Sequence, residues 1–294
     1  MKRSFIILLV IALVCAVAFT LWRLASSRDP VEALVSDMVR IPGRDYLVGK
    51  YEVTQGQWEA VMGENPSEHK GSDHPVESVS WDDCQAFLER LNAHPAARAS
   101  GLVFRLPTED EWETSCRAGD TNDFCRLADG TRITKTTLGR VAWLYDNLPR
   151  PSAAMQRCTI FLMDVLDRVS DFHYQPKALS HQPVGQKEPN AYGLFDMYGN
   201  VWEWTDGRFD LNGRIQTANN LSNGTHRIYR GGGALDAIDT YEIFDGARIP
   251  CLPEARSAYI GFRICASSTQ ASETLPVRAG AAQPPTAADE APRP

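Results

Sequence analysis

Two kinds of pattern share this chain: a few amphipathic stretches with helical spacing, and many short apolar runs broken by Gly, Pro, Asn and Asp. Ser80 precedes Trp81, Cys84, Phe87, Leu88 and Leu91, which recur at three- and four-residue intervals, so a capped helix with one buried face is predicted there. Thr54 and Gln57 have the spacing of a capping box, with Trp58, Val61 and Met62 forming an apolar stripe behind it. Thr108 and Glu111 repeat that spacing just after Pro107 and lead into Trp112 and Cys116. Met38 to Gly43 reads as a short strand closed by a turn. Long amphipathic patterns are few, so an irregular α+β domain is predicted rather than a bundle or a parallel α/β sheet.

The two ends read differently from the middle. Lys2 and Arg3 precede an apolar run from Phe5 to Trp22 that only Thr20 interrupts. At 1.5 Å per residue such a run sits at the edge of what spans a hydrocarbon core of about 30 Å. Leu24-Ala25-Ser26-Ser27 also offers a fair cleavage site. Residues 1–27 are therefore expected to be a signal anchor or a signal peptide, 28–37 a linker, 38–266 the folded domain and 267–294 a disordered tail rich in Ala, Pro, Ser and Thr. Either fate of the N-terminus carries the domain across a membrane. The expected location is periplasmic, anchored to the inner membrane through that segment or soluble after cleavage.

Six of the seven cysteines lie beyond the apolar run, an even number that an exported chain can pair. No Cys-x-x-Cys occurs, so neither a zinc ribbon nor a thioredoxin-like motif is supported. The formal net charge of −7, with no basic stripe, excludes a nucleic-acid partner. The six histidines show no paired ligand spacing and read as surface or satisfied core residues.

Five blocks occur in one order: Tyr51 to Trp58, Pro75 to Trp81, Arg105 to Trp112, Asn190 to Trp204, and Tyr229-Arg230-Gly231-Gly232 followed by Gly261-Phe262-Arg263. Together they resemble the formylglycine-generating enzyme, or sulfatase-modifying factor, family. The resemblance implies a compact α+β fold related to C-type lectins, with little regular secondary structure. Trp81, Trp112, Trp202 and Trp204 then read as scaffold, each with a large buried ring and an N–H that needs a partner. Arg105 and Glu111 read as a buried ion pair or capping network.

The resemblance also implies a structural calcium held by the side chains of Asp196 and Glu203 and the backbone oxygens of Gly199 and Val201. Hard oxygen donors on a turn suit Ca²⁺. The plainer reading gives Glu203 an arginine partner and Asp196 a turn. Catalytic relatives carry two copper-binding cysteines after the Arg-Gly-Gly turn. Here Leu235 and Thr240 fall at those places, and neither side chain can hold Cu(I). No copper is expected, which marks the chain as a pseudoenzyme. Cys84 and Cys265, each offset from a family disulfide position, form a candidate pair. Cys116 and Cys251 are further disulfide candidates, the usual partner position of Cys116 being occupied by Asp245.

Non-catalytic periplasmic members of the family act as accessory factors, and one group works upstream of the kinase that controls type VI secretion. The resemblance therefore implies a scaffold whose partners are envelope or periplasmic proteins. A periplasmic enzyme with altered chemistry, like those that mature siderophores, is the alternative, using residues such as Glu242, Asp245 and Arg248. A true formylglycine-generating oxidase would need Cys251 or Cys265 to replace the lost pair. One departure from the family is the extra segment from Pro149 to Leu179. Its Ile160, Phe161, Val165 and Leu166 are helically spaced, able to pack on the domain or to dock a partner.

Overall fold

The computed structural model describes residues 29–120, 125–149, 180–209, 215–216, 226–236 and 247–268. The apolar N-terminus, the stripe containing Ile160, Phe161, Val165 and Leu166, and the tail from residue 269 lie outside the described residues. Among the described residues no helix is long and apolar enough to cross a membrane.

The domain begins earlier than the sequence suggests. Residues expected to be a linker form helix α1 (Pro30–Ser36), capped by Asp29, whose carboxylate accepts from the Val31 and Glu32 amides. Val31 and Leu34 share one face and are buried in the core, so the segment is part of the fold. Strands β1 (Met38–Arg40) and β2 (Tyr46–Gly49) follow, then helices α2 (Gln55–Met62), α3 (Trp81–Ala93) and α4 (Pro95–Ser100). Strand β3 (Leu102–Arg105) leads into α5 (Glu109–Arg117). Thr54, Ser80 and Thr108 cap α2, α3 and α5 in full capping boxes. Each satisfies backbone donors that a helix start otherwise leaves open.

The second half supplies β4 (Trp202–Phe209), β5 (Ile215–Gln216), β6 (His226–Arg230), β7 (Ile249–Cys251), β8 (Ile260–Gly261) and β9 (Cys265–Ser268). One antiparallel sheet has the order β1-β2-β9-β3, so the last strand lies between two of the first. The other runs β5-β4-β6-β7, with β8 parallel to β4. The β4–β6 register shifts between Trp204 and Arg208. The result is a mixed fold with few helices and two small sheets, the irregular α+β class expected.

Two buried clusters fill it. In one, the Trp58 and Phe87 rings stack 5.2 Å apart and Phe262 meets both edge-on, which joins α2, α3 and the segment after β8. The other gathers Ile41, Val48, Trp112, Leu144, Met197 and Cys265. Indole N–H groups cross between elements as the scaffold reading requires. Trp81 donates to the Thr205 carbonyl at 3.0 Å and Trp204 to the Val79 carbonyl at 3.0 Å. Arg105 and Glu111 form a two-pronged ion pair, with both N···O distances 2.6 Å.

Candidate functional site

A buried charge network sits where the two halves meet. Glu52 follows β2, Asp196 to Val201 form the loop before β4, Glu203 is the second residue of β4, and Arg263 lies between β8 and β9. All four charged residues are buried. The loop is folded tightly, with φ of +53° at Asp196, +75° at Gly199 and +61° at Asn200. A Cβ at Gly199 would collide with the Trp143 carbonyl oxygen, so only glycine fits there. That same carbonyl accepts from the Asn200 amide at 2.9 Å.

Glu203 is fully engaged. Its carboxylate accepts from Arg263 Nε at 2.7 and 2.9 Å, from Arg263 Nη2 at 2.6 Å and from Trp112 Nε1 at 2.6 Å. Glu52 accepts from Asn200 Nδ2 at 2.6 Å and from the Val201 amide at 3.1 Å. Asp196 accepts from the Gly185 amide through Oδ2 at 2.7 Å, while its Oδ1 is buried without a hydrogen-bond partner. Three buried carboxylates thus face one buried guanidinium. Burial, reinforced by Asp196 and Glu203, pushes the Glu52 carboxyl well above the ordinary carboxylate range. Burial likewise raises that of Asp196. Burial opposes the Arg263 charge, but Glu203 outweighs it and holds the guanidinium protonated.

Of the four residues the sequence offered for a metal, Asp196 and Glu203 enter this network, and Gly199 and Val201 lie in the loop that shapes it. The arginine partner of Glu203 is present. Glu52 and Arg263 were not singled out by sequence, although both fall inside the family blocks, which was the available signal.

The second place of interest is the Arg230-Gly231-Gly232 turn at the end of β6. Gly231 and Gly232 have φ of +103° and +85°, and a Cβ on Gly231 would press on the Trp112 ring. Arg230 is buried, reaching Glu113 Oε2 through Nη2 at 3.2 Å, and its guanidinium carbon lies 5.1 Å from the Trp112 ring centroid. Among the described residues its Nε and Nη1 have no partner. Arg248 holds Glu109 at 3.0 Å and Glu113 at 3.1 Å. Beside them opens a charged cleft of about 410 Å³ lined by residues including Arg44, Tyr46, Glu113, Arg117 and Arg248. Leu235, 38% exposed, follows in a turn closed by the Gly233 amide donating to Asp236 Oδ2 at 2.7 Å. Thr240, Glu242 and Asp245 lie outside the described residues.

The described thiols are elsewhere. Cys84, Cys116, Cys125, Cys251 and Cys265 are all free. Cys84 and Cys265 do not pair, because they belong to different buried clusters. Cys265 Sγ instead lies 3.0 Å from the Leu47 carbonyl oxygen. The further candidates Cys116, buried with Cys125 and Tyr198 in one cluster, and Cys251, packed against the other, are each unpaired among the described residues. Burial pushes the Cys116 and Cys265 thiols up to about 12, so neither is a thiolate at neutral pH.

Known proteins share the sequence pattern and the fold. The sequence pattern of the "Sulfatase-modifying factor enzyme 1-like domain" matches residues 29–268. The "Chaperone protein LppX" of Paenibacillus barcinonensis is 30% identical over 68% of this chain and 72% of its own length. The formylglycine-generating enzyme of Thermomonospora curvata is 29% identical over 71% of this chain and 61% of its own. The bovine "Inactive C-alpha-formylglycine-generating enzyme 2" is 27% identical over 80% and 65%. The match thus spans less than two thirds of the length of these last two. Among solved structures, Treponema denticola variable protein 1 superposes with a TM-score of 0.53 at 22% identity, covering 79% of this chain and 91% of that one. PvdO from Pseudomonas aeruginosa superposes with a TM-score of 0.50 at 20% identity, covering 76% and 80%. At such identities the structural likeness concerns the fold alone. The boundaries of the matched pattern coincide with the described fold from α1 to β9, and the chain belongs to the sulfatase-modifying factor enzyme 1-like family.

Proposed function

We propose that this protein is a non-catalytic member of its family, an exported scaffold or regulator that binds envelope proteins through its formylglycine-generating-enzyme-like domain. The observation that carries this reading is Leu235, an exposed aliphatic side chain on the turn where copper-binding relatives would present a thiol. Thr240, the second such place, has no thiol either. The thiols that are described are buried or packed into the cores. Copper oxidation needs accessible soft ligands. An inactive family paralogue and a relative named as a chaperone support a role without oxidation.

The setting we name is the periplasm, with regulation upstream of the type VI secretion kinase as the specific role. It rests on the sequence resemblance. Crosslinking of tagged full-length protein in native membranes tests the scaffold reading. Recovery of a stoichiometric envelope protein, lost on deletion of residues 151–175, supports it. Recovery of none contradicts it.

A structural calcium belongs to the same proposal. Asp196 Oδ1, buried and unpartnered, is the atom such an ion would satisfy, with the Gly199 and Val201 carbonyls as further hard-oxygen donors, whereas Glu203 would join only by giving up a bond to Arg263 or Trp112. The ion's contribution would be to fix the loop of Asp196 to Val201 against β4.

The second reading, an enzyme with altered chemistry, draws on the charged cleft beside Arg230. Arg248, the described member of the residues named for it, is held by Glu109 and Glu113, an arrangement that a purely structural ion network also explains. Oxygen consumption by the purified protein with candidate periplasmic metabolites would favour the enzyme.

A further inference from the structure

Away from both places, three side chains converge. Glu77 precedes α3, His69 lies in the loop between α2 and α3, and His181 lies in the segment that approaches the Asp196 loop. One donor atom of each lies within 4.8 Å of the other two. His69 Nδ1 is 3.7 Å from Glu77 Oε1, and His181 Nε2 is 3.6 Å from the same oxygen. Both gaps exceed hydrogen-bond length, and both nitrogens are buried without a hydrogen-bond partner. The side chains of His181 and Glu77 have no exposure at all. A surface or satisfied-core assignment, the expectation from sequence, fails for His69 and His181.

We infer that His69, Glu77 and His181 form a binding site for a divalent transition cation of the zinc type. Zinc bonds of about 2.0–2.2 Å at tetrahedral angles place donor atoms roughly 3.3–3.6 Å apart. Two of the gaps here need to close by only tenths of an ångström. Two imidazoles and a carboxylate suit zinc better than calcium, which takes oxygen donors.

The surroundings are built to aim these groups. His74 Nδ1 lies 3.1 Å from His181 Nδ1, so one ring donates to the other. With His181 as donor its Nε2 carries the free lone pair, directed at Glu77. A Cβ at Gly71 would collide with the His74 ring, so glycine there leaves room for it. Glu77 is fixed by the Ser78 hydroxyl donating to Oε2 at 2.6 Å and the His69 amide donating to Oε1 at 2.8 Å. Outer hydrogen-bond partners of this kind orient metal ligands. The ion would pin the loop after α2 to the segment at residue 181, a link distinct from the calcium site and independent of whether the domain catalyses anything.

Full-length protein, stripped with EDTA and returned to calcium-containing buffer, is titrated with Co²⁺ and then Zn²⁺, read by cobalt visible absorption and by metal content. The expected result is one equivalent bound, with bands of a nitrogen- and oxygen-ligated cobalt that zinc displaces, and a raised Tm. His69→Gln, at a partly exposed position, keeps the fold by circular dichroism and weakens binding by more than the roughly 10–100-fold expected for His74→Phe, which removes only the outer partner. No cobalt uptake by the folded wild type overturns the inference. So does binding by folded His69→Gln equal to wild type. In either case the cluster is a hydrogen-bonded structural group and nothing more.

Discussion

Trp112 donates its indole N–H to Glu203 at 2.6 Å, tying α5 to β4 across 91 residues of chain. Glu203 also receives Arg263, so one carboxylate fastens three separate segments. This places the charge network, the Arg-Gly-Gly turn and the second core in contact through a single indole, since Trp112 also underlies Gly231 and faces the Arg230 guanidinium.

Trp112→Phe removes that donor and, with its smaller ring, also leaves a gap in the buried cluster. A hydrogen bond to a charged group contributes about 1.5–3 kcal/mol. The variant should lose at least that much in urea unfolding, with the m-value unchanged. A loss below about 0.5 kcal/mol would show that Glu203 rests on Arg263 alone.

Arg263→Met leaves Glu203, Glu52 and Asp196 buried without their cation. Removing one partner of a buried pair costs about 3–5 kcal/mol, whereas replacing both often costs far less. The single variant should be strongly destabilised and Arg263→Met with Glu203→Leu partly recovered. Urea midpoints of the two check this. Equal destabilisation would mean that neither side depends on the other.

Glu111 gives a pH prediction. Burial raises its carboxyl, but the Arg105 hydrogen bond and the Thr108 amide outweigh burial and leave it below its usual 4.5. A carboxylate with a depressed folded pKa stabilises above its unfolded pKa, and that stability is lost as pH falls. Wild-type Tm should therefore drop below about pH 4.5 more steeply than that of Glu111→Gln, which lacks the group. Parallel Tm curves for the two proteins would refute this role. Because the pair is partly exposed, its contribution at neutral pH should be modest.

Much of this was legible locally. Thr54, Ser80 and Thr108 announce their helices because a capping box is contained in four residues. Helix α1 was hidden, since Val31 and Leu34 are its only buried side chains and Asp29-Pro30 looks like a connector. The sheets are set by distant pairings such as Leu47 with Ala266, which no local pattern encodes. Glu203 was found as a possible ligand only through the family resemblance of its block, and its pairing with Arg263 was foreseen only as an unnamed arginine. His69, Glu77 and His181 meet through tertiary folding alone, so spacing gave no sign of them.

Calcium gives a fourth prediction. Adding Ca²⁺ to EDTA-treated protein should raise Tm, by mass action on a site present only in the folded state. Asp196→Asn, which removes one carboxylate charge and alters the oxygen left unpartnered, should reduce that rise most. An unchanged Tm on adding calcium to the wild type would remove the ion from the account.

The central claim is the loss of copper chemistry. Full-length protein loaded with Cu(I) should be incubated under air with a cysteine-containing sulfatase peptide, and the peptide followed by mass spectrometry for aldehyde formation. The account predicts no Cu(I) retained at the turn of Leu235 and no conversion, while Leu235→Cys with Thr240→Cys gains Cu(I) binding. Conversion of the peptide by the unaltered protein would contradict it.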